Sequence, residues 1–248
     1  MSSFSLYALC TDEAEYFKKI FLKTLRDDWD VRIDYLGAAG EGGGDWSSPG
    51  FLELVRIKLQ YLVRLVKENY GKVIIWSDLD IQFFRECTPL IRREIKGKDI
   101  LFQAEHWPQK EINSGFMVIR CNEKTLSFFE AVLKIDYEKM RHFDQSAINA
   151  ILQENTIGLR WDVLPRQFWA MTHGGNPPRD IVLHHANGTV PCERNGRKIG
   201  SLQLKIEQLK HIRRQVRRRQ LKSGLSAVRA AIRKISSVSR KGVRNGTC

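Results

Sequence analysis

Residues 72–84, KVIIWSDLDIQFF, decide the fold class of this chain. The apolar run Val73–Trp76 stops abruptly at the sequence Ser77-Asp78-Leu79-Asp80. A short apolar run that ends in this way is typical of a fully buried strand in an α/β sheet. Ligands of such sheets bind outside the carboxyl ends of the strands, and this strand is followed there by two carboxylates.

Asp78 and Asp80 are two residues apart, so in an extended chain their side chains point to the same side. Two hard oxygen ligands on one side suit a divalent cation that also holds a diphosphate. The alternative is a turn at the end of the strand, because Asp is common in turns. The two aspartates alone do not distinguish a metal site from a turn, so the distinction depends on motifs elsewhere in the chain.

The charge of the chain is unevenly distributed. The 248 residues carry a net charge of +13, but Arg194–Cys248 holds 17 Lys/Arg against a single acid, Glu207. The other residues carry 24 Lys/Arg against 27 Asp/Glu, so the body is close to neutral. We therefore assign the basic character to the tail, and the overall charge does not indicate nucleic-acid binding by the body.

Composition also excludes several protein classes. The five cysteines are scattered without a C-x-x-C pair, which predicts neither a zinc site nor a disulfide framework. Residues 1–17 lack the basic and apolar regions of a signal peptide, and no apolar run approaches the ~18 residues of a membrane span. We expect a cytoplasmic protein, with peripheral membrane contact as a further option.

The first part of the chain has a strand-helix-strand pattern, which is typical of α/β proteins. The predicted elements are a strand at Phe4–Leu9, a helix at Glu13–Arg26 with Thr11 or Asp12 as its N-cap, and a strand at Val31–Leu36. The turn after a first buried strand is where such proteins hold a nucleotide base. Tyr7, Ala8 and Thr11 are therefore base-side candidates, although a simple connecting turn is equally compatible.

A glycine-rich segment, Gly37–Gly50, separates this pattern from the next helix. It has neither the G-K-[ST] ending of a Walker loop nor a G-x-G-x-x-G register, so it is either a solvated loop or a lid over a site. Phe51–Asn69 is an amphipathic helix that leads into the strand before Asp78. Lys58 lies on this helix, where it could face a diphosphate or be solvated.

The middle of the chain adds further candidates for a sugar site. The predicted elements are a helix at Leu90–Ile95, a strand at Asp99–Ala104, a tight turn at Asn113-Ser114-Gly115, a strand at Phe116–Arg120 and a helix at Lys124–Lys134. Asn113 offers both a donor and an acceptor, as a sugar hydroxyl requires, but Asn-Ser-Gly is also an ordinary turn sequence.

Two more motifs follow. Asp144 and Gln145 precede a predicted helix at Ser146–Gln153, where helix capping is the alternative to a functional role. After a predicted strand at Leu159–Leu164, a strand at Ile181–His184 ends in His184 and His185. A strand that ends in histidine could complete a metal site of oxygen and nitrogen ligands with the two aspartates.

The chemistry changes in the last fifth of the chain, which we treat as a separate segment, residues 201–248, after a body at residues 1–200. Apolar residues recur at threes and fours from Leu202 onwards, and Arg, Lys, Gln and Ser fill the positions between them. This pattern predicts a basic amphipathic helix, or two helices broken near Gly224. An anionic membrane surface is the favoured partner of residues 202–238, ahead of a phosphate-rich polymer or packing on the body or a second copy.

Four motifs now stand in one order: a strand with SDLD, NSGF with a strand, FDQSAIN, and a strand with HHANG. Together with the helix-bearing stretch DWSSPGFLELVRIKLQYL, this order resembles the nucleotide-diphospho-sugar transferase family of GT-A glycosyltransferases. These include plant cell-wall xylosyl- and arabinosyltransferases and, more remotely, glycogenin-like enzymes. The resemblance covers about Phe4–Gly188. It implies a Rossmann-like mixed sheet sandwiched by helices, a nucleotide-sugar donor with UDP as the expected nucleotide, and Mn²⁺ or Mg²⁺.

The resemblance also implies roles for the metal-side residues. Asp78 and Asp80 match the D-x-D motif that binds the metal ion and the donor ribose. His185 matches the third protein ligand, with His184 as the alternative. Lys58 matches a helix lysine near the phosphates or Asp78. Glycogenin-like relatives hold phosphate with a lysine soon after the histidine motif, and here the first basic residue is only Arg194.

The sugar-side residues follow in the same way. Asn113 matches the asparagine near the transferred sugar, and Asp144 and Gln145 match the pair on its reacting face. The relatives retain the anomeric configuration, which implies a retaining transferase, and the acceptor is a glycan, a protein or a lipid-linked molecule. One alternative is an inactive GT-A body whose basic tail binds a membrane or nucleic acid. Another is a sugar-1-phosphate nucleotidyltransferase, against which the acidic sequence of residues 10–17 speaks.

Overall fold

The computed structural model describes residues 3–42, 45, 48–135 and 143–242, without the side chains of residues 143 and 223–242. The chain forms two compact units, residues 1–209 and residues 210–248. All the candidate site residues belong to the first unit.

The first half of this unit contains three parallel strands. Its elements are β1 (Ser5–Cys10), a 3₁₀ helix (Asp12–Ala14), α1 (Glu15–Thr24), β2 (Asp30–Tyr35), α2 (Pro49–Glu68) and β3 (Val73–Ser77). β1 pairs in parallel with β2 on one side and with β3 on the other. The Ser48 hydroxyl accepts a hydrogen bond from the Phe51 backbone N–H, and Pro49 opens the first turn, so α2 has a well-formed N-terminus.

The remaining elements include eight shorter or antiparallel strands. In chain order they are β4 (Ile81–Phe83), α3 (Thr88–Glu94), β5 (Ile100–Ala104), β6 (Ile112–Arg120), α4 (Glu123–Leu133), α5 (Phe143–Glu154), β7 (Trp161–Val163), β8 (Phe168–Ala170), a 3₁₀ helix (Met171–His173), β9 (Leu183–His185), β10 (Cys192–Arg194), β11 (Arg197–Ile199) and α6 (Ser201–Gly242).

The main sheet has the strand order β2-β1-β3-β6-β5-β7. β6 runs antiparallel to both β3 and β5, and β7 is parallel to β5, so the sheet is mixed, as the family resemblance implies. A second sheet has the order β4-β9-β8, and β10 and β11 form a separate hairpin.

Helices cover both faces of the main sheet. The side chains of β3 alternate between two hydrophobic cores: Ile75 packs in the core that contains Phe21 of α1, whereas Ile74 and Trp76 pack in the core that contains Leu62 of α2. This alternation is the expected consequence of the two-residue period of a strand. Because both faces are covered, β3 reads as a continuous apolar run.

The predicted turn at Asn113-Ser114-Gly115 is wrong, because these residues lie inside β6. The pairing of β5 with β6 shifts there: Phe102 is opposite Met117, but the next residue, Gln103, is opposite Asn113. The three extra residues on β6 form an irregularity in the ladder, which re-aims side chains at the edge of the sheet. Turn-forming residues therefore produce a bulge here rather than a reversal of the chain.

Other elements differ in extent from the predictions. α5 begins at Phe143, so Asp144 and Gln145 lie in its first turn rather than ahead of it. The predicted strand at Leu159–Leu164 shortens to β7, the one at Ile181–His184 begins later and extends to His185 as β9, and β8, β10 and β11 were not predicted. β8, β10 and β11 have only three residues each, which is too short for a periodic pattern to show in the sequence.

α6 is a single helix in which Gly224 causes no break. Its first residues, Ser201–Leu209, belong to the first compact unit, where Leu209 is fully buried. Within the described part of the chain, no helix combines the length and the apolar character needed to cross a membrane.

One buried carboxylate joins three elements of the main sheet. Asp99, just before β5, accepts hydrogen bonds from the Arg160 backbone N–H (2.9 Å), from the Arg160 guanidinium (3.1 and 3.2 Å) and from Asn122 Nδ2 (3.0 Å). Burial alone would raise the pKa of Asp99, but the hydrogen bonds from Arg160 and Asn122 outweigh burial and lower it to about 2.

We predict that Asp99→Asn lowers the free energy of unfolding at pH 7 by about 2 kcal/mol. The folded-state pKa lies below the unfolded value of about 3.9, so this stabilisation is complete above that pH and is lost as pH falls through about 2. Urea unfolding of both proteins should therefore show a difference that narrows by about half near pH 3.

The exposed ion pair between Asp30 and Arg32 supplies the control. Asp30→Asn should change the unfolding free energy by no more than about 0.5 kcal/mol at either pH. An Asp99→Asn difference of the same size at pH 7 and pH 3 would contradict the assigned role of the Asp99 charge.

Candidate functional site

Three predicted metal ligands come together at the carboxyl end of β3, in the middle of the main sheet. Asp78 and Asp80 follow β3, and one ligand atom each from Asp78, Asp80 and His185 lie within 4.8 Å of one another. The second sheet makes this possible, because β4 pairs antiparallel with β9 and places Ile81 opposite His185. His185 Nε2 is consequently 3.3 Å from Asp80 Oδ1.

The hydrogen bonds around His185 leave its Nε2 lone pair available. Gln103 Nε2 donates to the Phe168 carbonyl (3.0 Å), so its Oε1 is the atom that accepts from His185 Nδ1 at 2.7 Å. In the neutral imidazole Nδ1 then carries the proton, and Nε2 presents a lone pair towards Asp80. An acceptor bonded to the other ring nitrogen in this way orients many metal-binding histidines.

Asp80 offers the matching half of a cation site. Its Oδ1 is buried and has no hydrogen-bond partner among the described residues. Burial raises the pKa of the Asp80 carboxyl, but the Lys205 ammonium beside it outweighs burial, so the pKa lies below its ordinary value and the group is ionised. Two acceptor atoms thus face each other in a buried place, which is costly unless a cation lies between them. The residues fit a divalent metal ion.

Gly115 allows His185 to approach β6 this closely. A Cβ atom at this position would lie 2.3 Å from His185 Cε1 and 2.9 Å from His185 Nε2. The Gly115 N–H donates to Asn113 Oδ1 (2.8 Å), which fixes the irregular backbone of β6. The glycine of the Asn-Ser-Gly sequence is therefore needed for space beside the imidazole.

Lys58 on α2 connects the metal side of the site to α5. Its Nζ lies 3.3 Å from Asp78 Oδ1 and 3.2 Å from Asp144 Oδ2, and it donates to Ser114 Oγ at 3.1 Å. The Ser114 hydroxyl donates in turn to Asp144 Oδ2 (2.6 Å). Burial lowers the pKa of Lys58, but Asp78 and Asp144 outweigh it and raise the pKa, so the ammonium stays charged.

The pKa of Asp78 shifts the other way from that of Asp80. Burial raises it, and the opposing effect of Lys58 does not cancel the rise. The Trp76 indole N–H donates to Asp78 Oδ1 (3.2 Å), which holds the same oxygen that faces Lys58. Asp78 is the more exposed of the two aspartates, with 36% of its side chain accessible against 8% for Asp80.

The predicted sugar-side residues also lie together. Asn113 Nδ2 donates to Gln145 Oε1 (3.3 Å) and to Glu105 Oε2 (2.6 Å), and Asn187 Nδ2 donates to the same Glu105 oxygen at 3.3 Å. Asp144 Oδ2 contacts Lys58 and Ser114, whereas its Oδ1 accepts from the Gln145 backbone N–H (2.9 Å) in the first turn of α5. Neighbouring residues of α5 thus serve two sides of one site.

Lys205 of α6 is a site residue that the sequence analysis missed. Its Nζ lies 2.6 Å from Asp80 Oδ2. Arg194, the basic residue considered after the histidine motif, instead pairs with Glu207 in an exposed ion pair of 2.8 Å. The only signal in the sequence was the apolar stripe of α6, which allowed packing on the body as one of its uses.

Some candidates lie away from this cluster. The Tyr7 hydroxyl donates to Asn69 Oδ1 (3.0 Å) at the C-terminal end of α2, and Ala8 is fully buried within β1. Thr11 follows the carboxyl end of β1 and precedes the 3₁₀ helix. His184 points to the other side of β9, where its Nδ1 is 3.0 Å from Gln82 Nε2 and its ring packs against Trp169.

Solved structures of two glycosyltransferases resemble this fold. The first is the glycosyltransferase GlyE of Streptococcus pneumoniae TIGR4, with 12% identity and a TM-score of 0.51; the similarity covers 82% of this chain and 59% of GlyE. In the apo form of GlyE the corresponding shares are 74% and 54%. This chain therefore spans somewhat more than half of the length of GlyE.

The second structure is a glycosyltransferase involved in the glycosylation of the major capsid of PBCV-1. It has 11% identity and a TM-score of 0.54, and the similarity covers 86% of this chain and all of the viral protein. At these identities the comparison establishes the fold, which is the GT-A fold expected from the motifs.

Curated protein sequences contain no significant match to this chain. The family model of the nucleotide-diphospho-sugar transferases matches residues 21–189, which is more than half of the chain and includes all three metal-site residues. The chain belongs to the nucleotide-diphospho-sugar transferase family.

Proposed function

We propose that this protein is a metal-dependent glycosyltransferase that moves a sugar from a nucleoside-diphosphate sugar, with UDP as the expected nucleotide, to a glycan, protein or lipid-linked acceptor. The observation that carries the proposal is the buried pair of acceptor atoms, His185 Nε2 and Asp80 Oδ1, 3.3 Å apart beside Asp78. Family membership supplies the donor class.

Asp78, Asp80 and His185 would hold Mn²⁺ or Mg²⁺. A divalent ion bound there neutralises the charge that develops on the leaving diphosphate. The charged Lys58 lies 3.3 Å from Asp78 Oδ1, so it adds positive charge beside the metal ligands, where the diphosphate would bind. The base would lie at the carboxyl end of β1, at Thr11, with Tyr7 and Ala8 forming the strand beneath it.

The reacting face of the sugar would be formed by Asn113, Asp144 and Gln145. Asn113 and Gln145 are within hydrogen-bond distance of each other, and Asp144 is tied to Lys58, so the three side chains are preorganised. Asp144 or Gln145 would stabilise positive charge on the sugar as its bond to the diphosphate breaks. Retention of the anomeric configuration is part of this proposal and rests on the family resemblance.

The metal requirement is the first prediction. With Mn²⁺ and a panel of nucleotide sugars, the protein should release free nucleotide from its donor, EDTA should abolish the release, and added Mn²⁺ should restore it. Asp80→Asn should lower turnover roughly 100-fold or more, because the variant loses a charged metal ligand. Full activity of Asp80→Asn, with its fold verified by circular dichroism, would remove the metal site from the proposal.

The second prediction separates catalysis from helix capping. Loss of a capping interaction costs about 1 kcal/mol of stability, whereas loss of a group that stabilises the transition state costs roughly 100-fold in turnover. Asp144→Asn and Gln145→Ala should both show the large loss of turnover. The control is Asn155→Ala, a residue at the opposite end of α5 whose contacts are with Leu159. If Asp144→Asn and Gln145→Ala change only the melting temperature, the reacting face lies elsewhere.

For the tail we propose peripheral attachment to an anionic membrane. Residues 194–248 carry the excess positive charge, and Arg214, Arg217 and Arg218 are exposed on α6. Basic residues near an anionic surface contribute about 1 kcal/mol each, and salt screens this attraction. A tethered acceptor, such as a lipid-linked one, would then be brought to the catalytic unit.

The full-length protein should therefore bind phosphatidylserine vesicles at low salt and dissociate as salt is added. A variant with Arg214, Arg217 and Arg218 replaced by Gln should bind markedly more weakly but release nucleotide from the donor at the normal rate. Equal sedimentation with neutral and anionic vesicles at low salt would show that membrane attachment is wrong.

A further inference from the structure

We propose that Lys205 is a built-in competitor of the metal ion. In the metal-free protein the Lys205 ammonium group neutralises Asp80, so the metal ion alone binds weakly. The metal ion binds tightly only when a diphosphate is also bound and the ammonium pairs with the diphosphate instead of Asp80. This inference rests on the proposed function, and it assigns a role to a residue that lies outside the family-matched region, residues 21–189. The role is that of a positioning residue, which acts through Asp80.

The ion pair between Lys205 and Asp80 is short and well protected from water. Nζ and Oδ2 are 2.6 Å apart, and 27% and 8% of the two side chains are accessible. Charge-assisted hydrogen bonds of this length are the strong ones, and breaking a buried pair is costly. A metal ion that binds Asp80 has to share the carboxylate with this ammonium or displace it.

The charges of the whole cluster point the same way. Each aspartate of the metal triad is already paired with a lysine: Asp78 shares Lys58 (3.3 Å) with Asp144 (3.2 Å), and Asp80 has Lys205 at 2.6 Å. Two ammonium groups therefore supply the charge of one divalent cation. A dication that binds alone is repelled by the two ammonium groups. A dication that binds with an anionic diphosphate is not, because the diphosphate balances the added positive charge.

The backbone of Lys205 is fixed on both sides while its side chain can move. The Ser201 N–H and hydroxyl donate to Asp45 Oδ1 (3.0 and 2.7 Å), and the Leu209 carbonyl accepts from Gln82 Nε2 (2.9 Å). The flexible four-carbon stem of a lysine can therefore swing the ammonium away from Asp80 without a shift of α6. A diphosphate bound next to the metal position is an anion within the reach of such a movement.

The test is a thermodynamic cycle of Mn²⁺ and UDP binding, followed by the electron paramagnetic resonance signal of free Mn²⁺. In the native protein UDP should raise the affinity for Mn²⁺ strongly. Lys205→Met should bind Mn²⁺ without UDP about tenfold or more tightly than the native protein, because no ammonium competes for Asp80. The enhancement by UDP should shrink correspondingly, since coupling between two ligands is reciprocal.

Two further variants serve as a control and as a substitute test variant. Lys198→Met removes the same charge from an exposed position on β11 and should behave like the native protein. Lys205→Gln keeps a hydrogen-bond donor next to Asp80 and replaces Lys205→Met as the test variant if the latter does not fold, with the same expected gain in Mn²⁺ affinity.

The outcomes are distinguishable from a failure of the proposed function. Unchanged Mn²⁺ affinity and unchanged UDP enhancement in folded Lys205→Met and Lys205→Gln would overturn the competitor role and leave the metal site intact. Weaker Mn²⁺ binding in both variants would also overturn it, because Lys205 would then support the site. Failure of the native protein to bind Mn²⁺ even with UDP would overturn the metal site itself and this inference with it.

Discussion

A single buried carboxylate, Asp80, holds this site together. One of its oxygens faces the Nε2 lone pair of His185 and the other accepts from Lys205, so it contacts side chains from two distant segments of the chain, β9 and α6. A charge in such surroundings is stable only when it is paired. Lys205 supplies that pairing in the absence of a metal ion, because its ammonium donates to Asp80 Oδ2 at 2.6 Å.

The two sheets of the first unit deliver these groups. β3 lies in the middle of the main sheet, and Asp78 follows its carboxyl end. The pairing of β4 with β9 places His185 next to Asp78 and Asp80. The irregularity in β6 then turns Ser114 towards Lys58 and Asp144, and Gly115 leaves room for the imidazole. The metal side and the sugar side of the site therefore depend on one register shift.

The sequence predicts those parts of the fold and the site that depend on a local pattern of residues. The strand before Asp78 and the histidine-ending strand have local patterns, so the α/β class and the positions of these side chains at strand ends were predictable, whereas the mixed sheet and the choice of His185 over His184 came from the family resemblance. Turn propensity misplaced Asn113-Ser114-Gly115, because the tertiary pairing of β5 and β6 overrides a local preference. Lys205 and Glu105 gave no local signal at all, since their roles arise only from the packing of α6 and the position of the loop after β5.

In the proposed function, Asp78, Asp80 and His185 together bind one divalent ion that also contacts the donor diphosphate. The most direct measurement is a crystal structure with Mn²⁺ and UDP, with data collected at a wavelength where manganese scatters anomalously. We expect one anomalous peak in direct contact with carboxylate oxygens of both aspartates, with His185 Nε2 and with oxygens of the diphosphate. A peak elsewhere, or UDP bound at this edge of the sheet with no anomalous peak among the three side chains, would contradict it.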